Sequence, residues 1–97
     1  MKIPSEVKVG PYTYKVTIVD IVDKNNPAYI GMARHDSDKE IRLCNDLDRD
    51  KMESVFLHEL IHCIDTLFRI GLTEEQVNQL EAGLYMVLKQ NNLLRED

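Results

Sequence analysis

Ninety-seven residues, 43% of them apolar, suit one domain with a modest core and leave no room for two. Twelve Lys and Arg against seventeen Asp and Glu leave a net charge of −5, the wrong sign for a surface that neutralises nucleic-acid phosphates. No apolar run approaches the ~20 residues of a membrane span, Met1-Lys2-Ile3-Pro4 opens no signal-peptide pattern, and two cysteines in such a chain favour free thiols, so a cytoplasmic protein that engages neither nucleic acid nor membrane is expected.

From Val7 to Val22 the residues favour strands, with Val7, Val9, Tyr12, Tyr14, Val16, Ile18 and Ile21 on roughly alternating positions and Gly10-Pro11 as a turn. Asp23-Lys24-Asn25-Asn26-Pro27 is a polar breaker. Beyond it, Tyr29 to Arg34 and Lys39 to Leu43 read as two further strands around the turn His35-Asp36-Ser37-Asp38. Residues 5–44 are therefore expected to form a small antiparallel sheet.

After Cys44 the period becomes helical: Met52, Phe56, Leu60, Cys63 and Leu67 form an apolar stripe, and Asn45, Asp46 or Asp48 can cap it. A helix is predicted from about Asp48 to Phe68. Gly71 breaks it, Thr73 with Gln76 makes a capping box, and Val77, Leu80, Leu84 and Val87 or Leu88 form the stripe of a second helix over about 73–90. The expected fold is one α+β domain over 1–97, the sheet packed on an antiparallel helix hairpin, with a frayed tail from about Asn91.

His58-Glu59-Leu60-Ile61-His62 is the HExxH pattern of zinc hydrolases, and it falls inside the strongest predicted helix. From three histidines and eight glutamates it arises by chance in roughly one in 140 chains of this composition. Imidazoles four residues apart on a helix stand one turn above each other, so both can direct a nitrogen at one ion ~2.0–2.1 Å away. At about 100° per residue, His58 and His62 point away from the Phe56 seam. Glu59, beside the first of them, can act as general base on the metal's water.

A catalytic site of this kind takes a third protein ligand and keeps one open position. The second helix offers Glu74, Glu75 and Glu81. Against the Val77/Leu80/Leu84 stripe, Glu75 points into solvent, whereas Glu74 and Glu81 flank the packed face. Glu74 also suits the positive end of the helix dipole, and Glu81 a solvated helix edge. Geometry leaves the two open.

Phe56 to Asp65, followed by Leu72 to Leu80 and Gly83-Leu84-Tyr85, resembles a small phage or prophage-type zincin, similar to the catalytic core of the ImmA/IrrE-like metallopeptidases, over roughly Ile41 to Leu88. The resemblance implies Zn²⁺ held by His58, His62 and Glu74, because Glu74-Glu75-Gln76-Val77-Asn78 matches the family's run around its third ligand. It further implies that Asn78 orients a ligand histidine through the other ring nitrogen. By analogy, the strand before the active-site helix, Lys39 to Leu43, pairs edge-on with a peptide or protein substrate. Tyr85, on the metal-facing side of the second helix, is placed either to stabilise an oxyanion or to pack in the core; His35 is either a second such group or an exposed turn histidine.

Other features carry less. Asp46-Leu47-Asp48-Arg49-Asp50 mimics the start of a calcium loop, but Lys51 and Leu57 stand where Gly and Glu are needed, so it reads as helix capping. Asp65 faces the histidine side and fits either a role near the site or a solvated helix end; Cys63 points into the core and Cys44 lies far from the motif in sequence. The expected function is hydrolysis of a peptide bond by Glu59-assisted attack of water activated by zinc, although the same ligands also accept iron, cobalt or manganese. The alternative is a non-catalytic zincin-like phage regulatory or accessory module with a structural or vestigial metal site, which four protein ligands would close.

Overall fold

A computed structural model describes residues 1–95. Four strands, β1 (Glu6–Val9), β2 (Tyr12–Val19), β3 (Gly31–Arg34) and β4 (Glu40–Cys44), precede two helices, α1 (Arg49–Phe68) and α2 (Glu74–Gln90). The protein is α+β. Of the expected frayed tail, residues 91–94 form turns that hydrogen-bond back to α2, and residues 96–97 lie outside the described residues. Among the described residues no helix is long and apolar enough to cross a membrane.

The sheet is mixed, not antiparallel as expected: its order is β1-β2-β4-β3, and β2 pairs with β4 in parallel while both outer pairs are antiparallel. The cause lies in the connection after β2. The breaker cluster around Asp23 to Pro27 carries the chain past the sheet before β3 forms, so β3 lands on the far side and β4 returns between it and β2. Alternation in β4 supports the central place, because Ile41 and Leu43 are both fully buried. The strand expected to offer an open edge is therefore internal. The edge beside α1 belongs to β3.

Gly10, at φ +58°, makes the β1–β2 turn, and its lack of a Cβ admits Leu67 of α1 to within close contact. The core joins Val9, Tyr14, Val16, Ile41 and Leu43 of the sheet to Val55, Phe56 and Cys63 of α1, with Met52, Leu60 and Leu67 packed against them. This is the predicted stripe of the first helix.

Asp48 caps α1 by accepting from the Lys51 N–H, which uses the apparent calcium-loop start as a helix cap. The helix ends at Arg69, in the left-handed region at φ 53°, and Gly71 follows at φ 84°. Asp65 satisfies that turn, its carboxylate accepting from the Gly71 and Leu72 N–H groups at 2.8 and 3.1 Å. Thr73 and Gln76 then form the full capping box of α2.

The second helix departs from expectation in its buried face. Val77 is fully buried and Leu88 half-buried, but Leu80, Leu84 and Val87 are exposed. Polar side chains of α2 bond to α1 instead: Glu81 to Ser54 and His58, Tyr85 to Glu53, Glu74 to both histidines and Lys89 to Asp50. The helix is thus rotated away from its most apolar stripe, because polar pairing with α1 takes the facing positions.

Candidate metal centre

The middle of α1, the first turn of α2 and the edge strand β3 meet around an open cleft of about 730 Å³. His58 and His62 face it from successive turns of α1, their Nε2 atoms 3.2 Å apart and their rings at 67°. Glu74 completes the group: Oε1 lies 2.9 Å from His58 Nε2 and Oε2 lies 3.2 Å from His62 Nε2. The three residues can hold a metal ion, since one donor atom from each lies within 4.8 Å of the others. Donors of a tetrahedral ion at ~2.0–2.1 Å would stand about 3.3 Å apart, close to the spacings observed. Two imidazole nitrogens and a carboxylate aimed at one point also need a proton or cation between them, so the donor set fits such an ion.

Glu81 lies on the other side of His58. Its Oε1 is 2.8 Å from His58 Nδ1, and its second oxygen accepts from the Ser54 hydroxyl. An ionised carboxylate only accepts, so Nδ1 carries a proton toward Glu81; Nε2 faces the Glu74 carboxylate and His62, where without an ion it needs a proton of its own and with one it would be the ligating atom. Of the two glutamates that spacing left open, Glu74 joins the converging donors and Glu81 orients one of them. The orienting bond expected from Asn78 is made to His58 by Glu81; Asn78 lines the cleft nearby.

Glu59 points to the same cleft from the sheet side of α1 and is 6% exposed. Burial raises its carboxyl to about 7, the His58 charge opposes this, and Glu74 and Glu81 add to the rise. No hydrogen bond reaches its carboxylate from the described residues. Gly31 of β3 makes the room: a Cβ there would stand 2.5 Å from Val55 Cγ1 and 2.9 Å from Glu59 Oε2. Nothing in the local sequence Ile30-Gly31-Met32 signals this approach, because it depends on how β3 meets α1.

Tyr85 does not line the cleft. Its hydroxyl donates to Glu53 Oε1 at 2.8 Å, which corrects the oxyanion alternative; nor does the ring join the core cluster, being half-buried between the helices. His35 does line it, with Nδ1 2.9 Å from the Tyr14 hydroxyl. Cys63 is buried, its thiol raised to about 11 by desolvation, and Cys44 Sγ contacts the Asp20 carbonyl at 3.6 Å, so neither joins the donor group. Asp65 is engaged in the inter-helix turn. No family model, curated protein sequence or solved structure matches the chain.

Proposed function

We propose that this protein is a minimal zincin-like metallopeptidase that hydrolyses a peptide bond, with Zn²⁺ held by His58, His62 and Glu74. One observation carries the reading: three ligand-type atoms converge on one point, beside a buried glutamate that no hydrogen-bond donor occupies. The HExxH resemblance supports it independently. So does the pairing of the helices, His58 with Glu74, Ser54 with Glu81, Glu53 with Tyr85 and Asp50 with Lys89, which runs oppositely along α1 and α2 as an antiparallel hairpin requires.

Bound zinc supplies the Lewis acidity that makes water nucleophilic near neutral pH. The chain's own residues do the rest. Glu59 removes the proton from the attacking water, and its place in a partly closed, low-dielectric pocket suits a carboxyl that must accept a proton and then deliver it to the leaving amine. Glu81 holds the His58 ring in the ligating tautomer. The open edge of β3 takes an extended peptide by main-chain pairing, a role that the internal strand β4 cannot fill. Gly31 keeps that edge within reach of Glu59.

A second reading, the non-catalytic binding module, draws support from the exposed Leu80, Leu84 and Val87 of α2, which offer a surface to a protein partner. The two readings separate in one experiment. Wild type and Glu59→Gln are loaded with zinc, assayed on a fluorescence-quenched peptide library and measured for metal by elemental mass spectrometry. About one zinc per chain in both proteins, with cleavage lowered 10²–10⁴-fold in Glu59→Gln, is the expected result. Zinc-loaded wild type that cleaves nothing, or cleavage that survives Glu59→Gln, overturns the peptidase.

A further inference from the structure

His35 sits at the end of β3, on the rim of the cleft that holds His58, Glu59 and His62, yet belongs to neither the donor group nor the base. Its ring meets Tyr14 edge-on, centroids 5.7 Å apart at 74°, and its Nδ1 lies 2.9 Å from the Tyr14 hydroxyl. Tyr14 comes from the middle of β2 and is itself almost fully buried, so this is a fixed support and not a surface contact. His35 Nε2 has no partner among the described residues. Since no buried side-chain nitrogen or oxygen there lacks a partner, Nε2 is open to solvent.

The proton between Tyr14 and His35 has a preferred side. A phenol is the stronger donor and an imidazole nitrogen the stronger acceptor, so the Tyr14 O–H donates to Nδ1. Burial, followed by the neighbouring Cys63 thiol, raises the Tyr14 hydroxyl to about 12, so the phenol keeps its proton, and burial lowers His35, favouring its neutral form. Neutral imidazole accepting at Nδ1 must carry its hydrogen on Nε2.

We propose that His35 is a further catalytic residue, its Nε2–H donating to the oxygen that gains negative charge when water adds to the scissile carbonyl, with buried Tyr14 as the positioning residue that fixes the donor tautomer. The inference rests on the peptidase reading and deepens it. The proton balance is simple: His35 donates a hydrogen bond and transfers nothing, while Glu59 moves the proton from water to the leaving amine. A preorganised donor of this kind strengthens its bond as charge develops, so its loss falls on kcat and spares KM.

The test uses the full zinc-loaded chain labelled with ¹⁵N-histidine, and the library peptide that wild type cleaves best. Long-range ¹H–¹⁵N spectra are expected to give the Nε2–H tautomer for His35 in wild type and a mixture in Tyr14→Phe. His35→Ala should lower kcat 10²–10³-fold with KM and zinc content within about twofold, and Tyr14→Phe should give a smaller loss in the same parameter. An Nδ1–H tautomer in wild type overturns the proposal, as does His35→Ala with kcat within twofold of wild type. The second outcome, in a wild type whose cleavage depends on Glu59, sinks the role of His35 alone. A zinc-loaded wild type without Glu59-dependent cleavage removes the peptidase reading and this inference together. Should Tyr14→Phe fail to fold, the wild-type spectrum and the His35→Ala kinetics still decide.

Discussion

Glu53 and Glu59 stand six residues apart on one helix and are both buried, 1% and 6% exposed, yet their surroundings assign them opposite characters. Around Glu53 every need of a carboxylate is met. The N-terminal ammonium of Met1 lies 2.6 Å from one oxygen, the Tyr85 hydroxyl donates to the other at 2.8 Å, and Lys89 Nζ lies 3.5 Å away. Burial alone would raise this carboxyl, but the ammonium and Tyr85 outweigh it and hold it below its ordinary value. Around Glu59, burial raises the carboxyl to about 7 and only the His58 charge opposes it. Two carboxylates of low exposure thus become an anchor in one place and a proton acceptor poised near neutrality in the other, because Glu59 is the more deeply enclosed and Glu53 has the ammonium and hydroxyl donors that Glu59 lacks.

Breaking the anchored member should have the largest effect on stability. Glu53→Ala leaves the Tyr85 hydroxyl and the Met1 ammonium without their shared partner, at an expected cost of about 3 kcal/mol at pH 7 in urea unfolding, with zinc content unchanged. A depressed carboxyl stabilises above its unfolded pKa and loses that contribution as pH falls through the folded one, so wild type and variant should converge in acid. A cost under about 1 kcal/mol at pH 7 would reduce Glu53 to the rank of a surface pair.

The poised member should respond with the opposite sign. A carboxyl raised from 4.5 to about 7 binds its proton more tightly when folded, so its contribution is present below pH 4.5 and is lost as pH rises toward 7. Metal-free Glu59→Gln removes that penalty. It should be more stable than metal-free wild type by on the order of 2 kcal/mol at pH 8, with the gap closing by pH 4. A gap independent of pH would show that packing, not ionisation, separates the two proteins.

What could be read from the chain follows the same division between local and distant causes. The caps Asp48 and Thr73, the Gln76 half of the capping box and the Phe56 stripe depend on neighbours three or four residues away, and all stand in the structure as the spacing predicts. The convergence of His58 and His62 is legible for the same reason. The mixed sheet is not, because the parallel pairing of Val16 with Ile41 spans a breaker whose path no local preference dictates. The same holds for Gly31 against Glu59 and for Tyr14 against His35. Glu81 was visible as a candidate but its task was not, since that depends on the rotation of α2, and the apolar spacing of Leu80, Leu84 and Val87 pointed to the wrong face.

The smallest change sharpens the comparison most cleanly. Tyr85→Phe keeps the ring and deletes one donor to the Glu53 carboxylate, a bond to a charged group whose loss should amount to about 1–2 kcal/mol at pH 7. Since that donor favours the ionised form, its contribution should fade as Glu53 is protonated, and the variant should match wild type near pH 3. Zinc content and Glu59-dependent cleavage should be unaffected, because the Tyr85 hydroxyl is directed to Glu53 and lies outside the cleft. Were cleavage to fall by more than tenfold with stability intact, the hydroxyl would act on the cleft after all, and the separation of an anchored end of α1 from a reactive one would fail.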